Sequence, residues 1–288
     1  MKYIITIIFL LLLIVLGVFW FVNRELITLH NSTQNISSMQ PSLENSWQFA
    51  VIGDTEGIHT VTKNMIEDLK LRPLTFVVHV GDISSHGNET EMQEVKTVFA
   101  TLPFPTYYIP GNNDLIFDES LQIKTLEAYK NVFGNTTYQS FNAQNAHFVL
   151  LDNSYRRFGF ASEELEWLQN DLAHNTQPLT FLFFHRPLNL PGEQLFGDDE
   201  TTASRKQNEK FKSLITPYTI SHIFNGHIHT SLNYNLNSIP VTVTGGGGAL
   251  PQEMLGGKSV AQFHYVLVTV QKTSDHPTYR TETIRFTE

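Results

Sequence analysis

The chain has 288 residues with 28 acidic against 19 basic side chains, a formal net charge of -9 and no basic run, which argues against a nucleic-acid-binding face. It contains no cysteine, so a disulfide framework and thiolate zinc sites are excluded. Residues 47–288 are within the range of one large α/β domain.

Residues 3–22 read YIITIIFLLLLIVLGVFWFV, without a charge or a proline, and about 20 such residues suffice to cross a bilayer core. A cleaved signal has an apolar region of only about 7–15 residues followed by small ones. Here Phe19, Trp20 and Phe21 stand at the exit, where aromatic rings suit the lipid interface. The expectation is an uncleaved transmembrane anchor in residues 1–22. Lys2 and the α-amino group on one side, against Arg24 alone on the other, place the N-terminus in the cytoplasm. The predicted protein is thus a single-pass, membrane-anchored chain with its folded part extracytoplasmic. Residues 23–46, rich in Asn, Ser, Thr and Gln, read as a polar linker, and residues 47–288 as the folded domain.

Within that domain, short apolar runs at 48–52, 74–80, 105–109, 147–151, 179–184 and 220–224 are bounded by Gly, Asn, Asp or Pro and read as strands. Helix-like segments at 61–69, 89–99, 121–133, 162–172 and 204–214 lie between many of them. The alternation predicts mostly parallel strands with helices outside. Runs at 241–244, 263–270 and 279–286 follow one another without obvious helices, which predicts antiparallel strands closing a second sheet.

Oxygen and imidazole donors stand at the ends of the runs: Asp54, Gly81-Asp82, Gly111-Asn112-Asn113-Asp114, His185 and Gly226-His227-Ile228-His229. A strand delivers its last residues to the rim of a sheet, so five such ends can gather donors around two cations without a contiguous motif. Each residue alone has a plain structural reading; Asp54 and Asp82, for instance, suit helix capping. The run Thr244-Gly245-Gly246-Gly247-Gly248 is not a P-loop, since no Lys-Ser/Thr follows it. His59, His147, His222 and His264 lie outside these motifs and read as surface or core residues.

In this order the motifs resemble the calcineurin-like metallophosphoesterase superfamily, over essentially the whole domain after the linker. The resemblance implies a four-layer α/β/β/α sandwich of two mixed sheets with a dinuclear metal centre at the strand ends. It implies that Asp82 bridges both metals, that Asp54 and His229 hold the first, and that Asn112, His185 and His227 hold the second. It also implies that the Gly-rich run lets backbone approach the metals.

Two positions depart from the family pattern. Glu56 stands where the first block usually has His. Counting Asp54, Glu56 and Asp82 against two divalent ions leaves about +1 where the usual His leaves about +2, which favours oxygen-loving Mn or Fe, with Mg or Zn possible. Asn113 stands where the family often has the His assigned as general acid, with Asp114 as the carboxylate that orients it. An amide cannot donate a proton in that sense. His86, following Asp82 in the same loop, is the alternative group to reach the substrate phosphate.

The expected function is metal-dependent hydrolysis of phosphoesters, phosphodiesters above all, by a hydroxide bridging two divalent ions. The expected partners are a phosphoester substrate and, through the N-terminal helix, a membrane. The alternative is a non-catalytic metal- or ligand-binding scaffold of the same fold. Ligand completeness separates the two, because a retired site loses donors to apolar residues. No motif singles out a substrate.

Overall fold

In the strand β1 (Ser46–Ile52) Trp47, Phe49 and Val51 enter one apolar cluster, whereas Ala50 and Ile52 enter another. That alternation makes β1 a strand buried on both faces. The computed structural model describes residues 45–191, 201–253, 259–272 and 277–288. The expected anchor and nearly all of the expected linker fall outside the described residues. Among those described, no helix is long and apolar enough to cross a membrane.

After β1 come α1 (Thr60–Lys70), β2 (Leu74–His79), α2 (Glu89–Phe99) and β3 (Thr106–Tyr108). β1, β2 and β3 pair in parallel, as the alternation predicted. A small hairpin, β4 (Ile116–Asp118) and β5 (Ile123–Thr125), precedes α3 (Glu127–Phe133). Then follow β6 (Gln139–Ala143), β7 (Ala146–Leu150), α4 (Ser162–His174), β8 (Leu179–Phe183), α5 (Thr202–Ile215) and β9 (His222–Asn225). The remaining strands are β10 (Ser231–Leu236), β11 (Ile239–Thr244), β12 (Phe263–Gln271) and β13 (Thr278–Phe286). One sheet has the order β13-β12-β1-β2-β3 and the other β10-β11-β9-β8-β7-β6.

Three apolar clusters define the layering. Between the sheets Phe49 stacks on Phe76 at 5.2 Å and meets Phe148 edge-on at 5.2 Å, while Phe148 stacks on Phe181 at 5.4 Å. Such pairs contribute about 0.5–1.5 kcal/mol each beyond their buried area. Outside the first sheet, Val61, Met65 and Leu69 of α1 lie on one helical face with Met92, Val95 and Phe99 of α2 in the same cluster. Outside the second sheet, Leu165, Leu168 and Leu172 of α4 and Phe211 and Ile215 of α5 do the same work. The order is helices, sheet, sheet, helices, the sandwich expected from the resemblance.

Two sequence expectations need correction. The helix predicted over 121–133 forms only as α3, because Asp118 Oδ1 accepts the backbone N–H groups of Ser120 at 2.8 Å and Leu121 at 3.1 Å. A short acidic side chain that captures nearby amides turns the chain instead of letting a helix start. The C-terminal runs, expected together in a second sheet, are divided. β10 and β11 extend the second sheet, but β12 and β13 return to the edge of the first. β12 alternates Tyr265 and Leu267 toward the outer cluster with Val266, Val268 and Val270 toward the inter-sheet cluster, which suits it to lie next to β1. β6 and β10 were not predicted; QSFNA and SLNYNL carry too few apolar residues to read as strands.

Three histidines outside the motifs are tied into the packing. His147 lies 2.7 Å from Asp171 Oδ2 and 2.7 Å from Asn142 Oδ1. His222 bonds Thr242 Oγ1 at 2.9 Å, and His264 Nδ1–H donates to the Gln262 carbonyl at 2.6 Å. Burial pushes the imidazoles of both His222 and His264 down to about 4, so each packs as a neutral ring at neutral pH.

Candidate metal centre

The parallel strands β1, β2 and β3 of one sheet and β8 and β9 of the other end on a common rim. Asp54 and Glu56 follow β1, Asp82 follows β2, Asn112 to Asp114 follow β3, His185 follows β8, and His227 and His229 follow β9. Among the described residues two groups could each hold a metal ion: Asp82, His185 and His227, and Asp54, Asp82 and His229, each with donor atoms within 4.8 Å of one another. Both groups contain Asp82.

His185 is fully buried, and its Nδ1 lies 2.8 Å from the Val80 carbonyl. A carbonyl only accepts, so Nδ1 carries the proton and Nε2 faces the centre. There Nε2 meets Asp82 Oδ1 at 3.2 Å and Asn112 Oδ1 at 3.1 Å. Burial opposes charge on this ring, yet Asp82 beside it raises the imidazole to about 9. Burial would likewise raise the Asp82 carboxyl, but His185, His227 and the Asn113 N–H together hold it below the usual range. Burial drives Asp54 well above that range, and the Asp82 and Glu56 carboxylates add to the effect against His185.

Glu56 points inward. Its Oε1 lies 3.6 Å from His229 Nε2, which is also 3.6 Å from Asp54 Oδ1. The two departures from the family pattern touch each other: Asn113 Nδ2 donates to Glu56 Oε1 at 2.8 Å. Sequence alone gave no sign of that pairing. Asn113 also donates its backbone N–H to Asp82 Oδ1 at 2.7 Å.

Asp114, expected to orient residue 113 for proton transfer, is placed otherwise. It is fully buried and accepts the N–H groups of Gly111 at 2.8 Å, Ile83 at 3.2 Å and Ser84 at 2.9 Å, stapling the loops after β2 and β3. Burial pushes its carboxyl up to about 7, with Asp82 adding to the rise. His86 is exposed in the loop after Asp82, and the next residue, Gly87, donates its N–H to the Asn113 carbonyl.

Local backbone explains why these ends converge. Asp54, Glu56, Asp82 and His227 have φ of 57°, 47°, 50° and 72°. Left-handed conformations cost a non-glycine residue about 1 kcal/mol or more and collect where function fixes the chain. A Cβ on Gly111 would collide with Asp82, and one on Gly226 with Asp54 Oδ2. Glycine therefore precedes the donors because backbone lies against carboxylate there. His227 N–H donates to both Asp54 oxygens at 2.8 and 3.0 Å. Gly247 and Ala249 donate their N–H groups to Gly53 and Asp54 carbonyls at 2.9 Å each, so the Gly-rich run packs backbone against the first donor loop.

The donor set fits divalent cations. His185 Nε2, Asp82 Oδ1 and Asn112 Oδ1 converge on one point, where either a proton on the ring or a metal ion joins them. His227 Nδ1 is buried without a hydrogen-bond partner. Buried carboxylates and neutral imidazoles are ligands suited to borderline and hard divalent ions.

Such donors on the shared rim of a two-sheet sandwich define a metal-binding α/β protein. Residues 48–231 match the family model for calcineurin-like phosphoesterases, and the chain belongs to that family. It is 28% identical to purple acid phosphatase 15 of Arabidopsis thaliana over 54% of this chain and 31% of that protein. It is 32% identical to a protein named Probable glycerophosphodiester phosphodiesterase GpdQ, of Arcobacter nitrofigilis, over 42% of this chain and 45% of the other. The chain thus spans about a third to a half of the length of these relatives. In structure it is similar to a purple acid phosphatase from yellow lupin seeds, with a TM-score of 0.63 at 18% identity over 83% of this chain and 53% of that one. GAP50, the anchor in the inner membrane complex of Plasmodium, has a TM-score of 0.56 at 13% identity over 85% of this chain and 90% of that one.

Proposed function

We propose that this chain is a metal-dependent phosphoesterase acting on phosphodiesters with two divalent ions. The observation that carries the reading is donor completeness: each motif position keeps an oxygen or nitrogen donor, and the two groups that could hold a metal share Asp82. Asp54, Glu56, Asp82 and His229 would hold one ion, and Asp82, Asn112, His185 and His227 the other. When bound, such ions supply Lewis acidity toward phosphoryl oxygens and lower the pKa of water.

The protein's own part is orientation. The Val80 carbonyl fixes the His185 tautomer, the His227 backbone N–H donates to both Asp54 oxygens, and the Asn113 backbone N–H holds Asp82 in place. Glu56 in place of a neutral ligand lowers the positive charge of the centre, which favours a monoanionic diester over a dianionic monoester and Mn or Fe over Zn. Chelation is expected to abolish hydrolysis of bis(4-nitrophenyl) phosphate, with Mn²⁺ restoring it better than Zn²⁺. Undiminished hydrolysis by chelated, metal-free protein would refute the reading.

The same fold serves an anchoring protein, GAP50, so the sandwich alone does not argue for catalysis. Donor completeness does. For residues 3–22, outside the described part, the proposal remains a membrane anchor with the domain extracytoplasmic. The protein should stay with membranes through high-salt and carbonate washing, and protease added to intact cells should remove the domain. Release by carbonate, or protection until lysis, would overturn anchor or orientation respectively.

A further inference from the structure

The strand β8 ends at Phe183, before the histidine it delivers to the rim. Its parallel neighbours β7 and β9 keep register only as far as Leu150 with Phe183 and Phe183 with Phe224. Three backbone bonds reach a little further: Leu151 N–H to the Phe183 carbonyl at 2.8 Å, Phe184 N–H to the Phe224 carbonyl at 3.2 Å, and Gly226 N–H to the His185 carbonyl at 3.0 Å. Beyond them lie the Phe184 carbonyl, just before His185, and the N–H and carbonyl of Arg186, just after it.

Two buried asparagine side chains take up all three groups. Asn225, the last residue of β9, donates Nδ2–H to the Phe184 carbonyl at 2.6 Å. Asn153, in the loop after β7, accepts the Arg186 N–H on Oδ1 at 2.9 Å and donates Nδ2–H to the Arg186 carbonyl at 2.8 Å. A primary amide offers a donor and an acceptor as a peptide group does, so Asn153 continues the pairing beyond the end of the β7–β8 ladder. Asn153 and Asn225 are 2% and 0% exposed, and neither belongs to the groups that could hold a metal. The amide at 225 is retained at a cost, because its Oδ1 is buried without a hydrogen-bond partner. Ile223, one strand repeat earlier, lies in the outer apolar cluster, so packing alone calls for an apolar side chain at 225.

We propose that Asn153 and Asn225 are positioning residues for His185, which grip the chain on both sides of it and set the affinity for the ion that Asp82, Asn112, His185 and His227 would share. The inference rests on the metal-centre reading and adds to it two residues outside both donor groups. Val80 ties the ring at Nδ1, and Nε2 meets Asp82 and Asn112 at 3.2 and 3.1 Å, so a displaced backbone at 185 breaks that convergence. Supports behind a ligating histidine are worth about 10–100-fold in metal affinity.

The test is a calorimetric titration of metal-free protein with Mn²⁺. The unchanged protein should bind two ions. Asn153→Ala and Asn225→Ala should each weaken one of them by at least about tenfold and leave the other as it was. Asn153→Asp, which keeps the acceptor for the Arg186 N–H and loses the donor, should fall between. Asn175→Ala is the comparison. Asn175 donates Nδ2–H to Thr180 Oγ1 at 2.9 Å and accepts the Gln177 N–H at 2.8 Å at the opposite end of β8, so its loss should lower the melting temperature and leave both ions as they were. Unchanged affinities in both alanine variants, or a weakening that Asn175→Ala reproduces, overturn the proposal. If the unchanged protein binds no ion, the metal-centre reading fails, and amide hydrogen exchange in chelator decides the positioning by itself. Gly226 N–H, which donates to the His185 carbonyl and has no bond to Asn153, should exchange about threefold faster or more in Asn153→Ala relative to the amides of the β7–β8 ladder, the scale of one weakened hydrogen bond. Equal relative exchange overturns the proposal.

Discussion

Asp82→Ala is expected to lower metal-dependent phosphodiester hydrolysis by at least about 10³-fold, the scale seen when a group central to a catalytic unit is removed. Asp82 belongs to both donor groups, lies 3.2 Å from His185 Nε2 and accepts the Asn113 N–H at 2.7 Å. Alanine removes the shared donor and leaves that amide without its acceptor. Both ions should be lost together, read by elemental analysis of the purified protein. Asp54→Ala, which touches one donor group, should retain one ion. Asp82→Asn preserves shape and one acceptor oxygen, so a normal melting profile with lost metal would separate ligation from folding. Full activity of Asp82→Ala, or two ions retained in it, would sink a centre built on a shared carboxylate.

How far these features are legible in sequence depends on the physical signal each leaves. β1, β2, β7, β8 and β9 are largely buried strands, and a strand buried on both faces reads as a near-continuous apolar run, so their positions could be read directly. The glycines before Asp82, Asn112 and His227 were visible as well, because close backbone approach tolerates no Cβ. Edge strands such as β6 and β10 need no apolar run and left none. The return of β12 to the first sheet depends on which partner covers its second face, a choice made by packing over long sequence separations. Within the site, the donors announced themselves by residue type, but their supports did not. Val80 orients His185 through a carbonyl that every residue possesses. Asp114 read as an orienting carboxylate and instead accepts three backbone amides, a use no motif distinguishes.

Alkyl phosphodiesters are expected to react far more slowly than nitrophenyl ones, with kcat/KM falling steeply as leaving-group pKa rises. An alkoxide needs a proton as it departs, positioned acid catalysis contributes about 10²–10⁴-fold, and aryl leaving groups need little of it. Asn113 cannot supply that proton, and its amide N–H is already given to Glu56 at 2.8 Å. Asn113→His would set an imidazole beside the Glu56 carboxylate, a neighbour that favours the protonated, acidic form of the ring. The slope should flatten, chiefly because the poor leaving groups speed up. Glu56→Gln in that background should partly restore the steepness by removing the charge that holds the proton. His86→Ala in the otherwise unchanged chain is the control: if exposed His86 already delivers a proton, its loss should steepen the slope. The measurement is kcat/KM over a series of phosphodiesters at fixed metal concentration. A shallow slope in the unchanged protein, unaltered by Asn113→His or His86→Ala, would mean that departure of the leaving group is handled without either position.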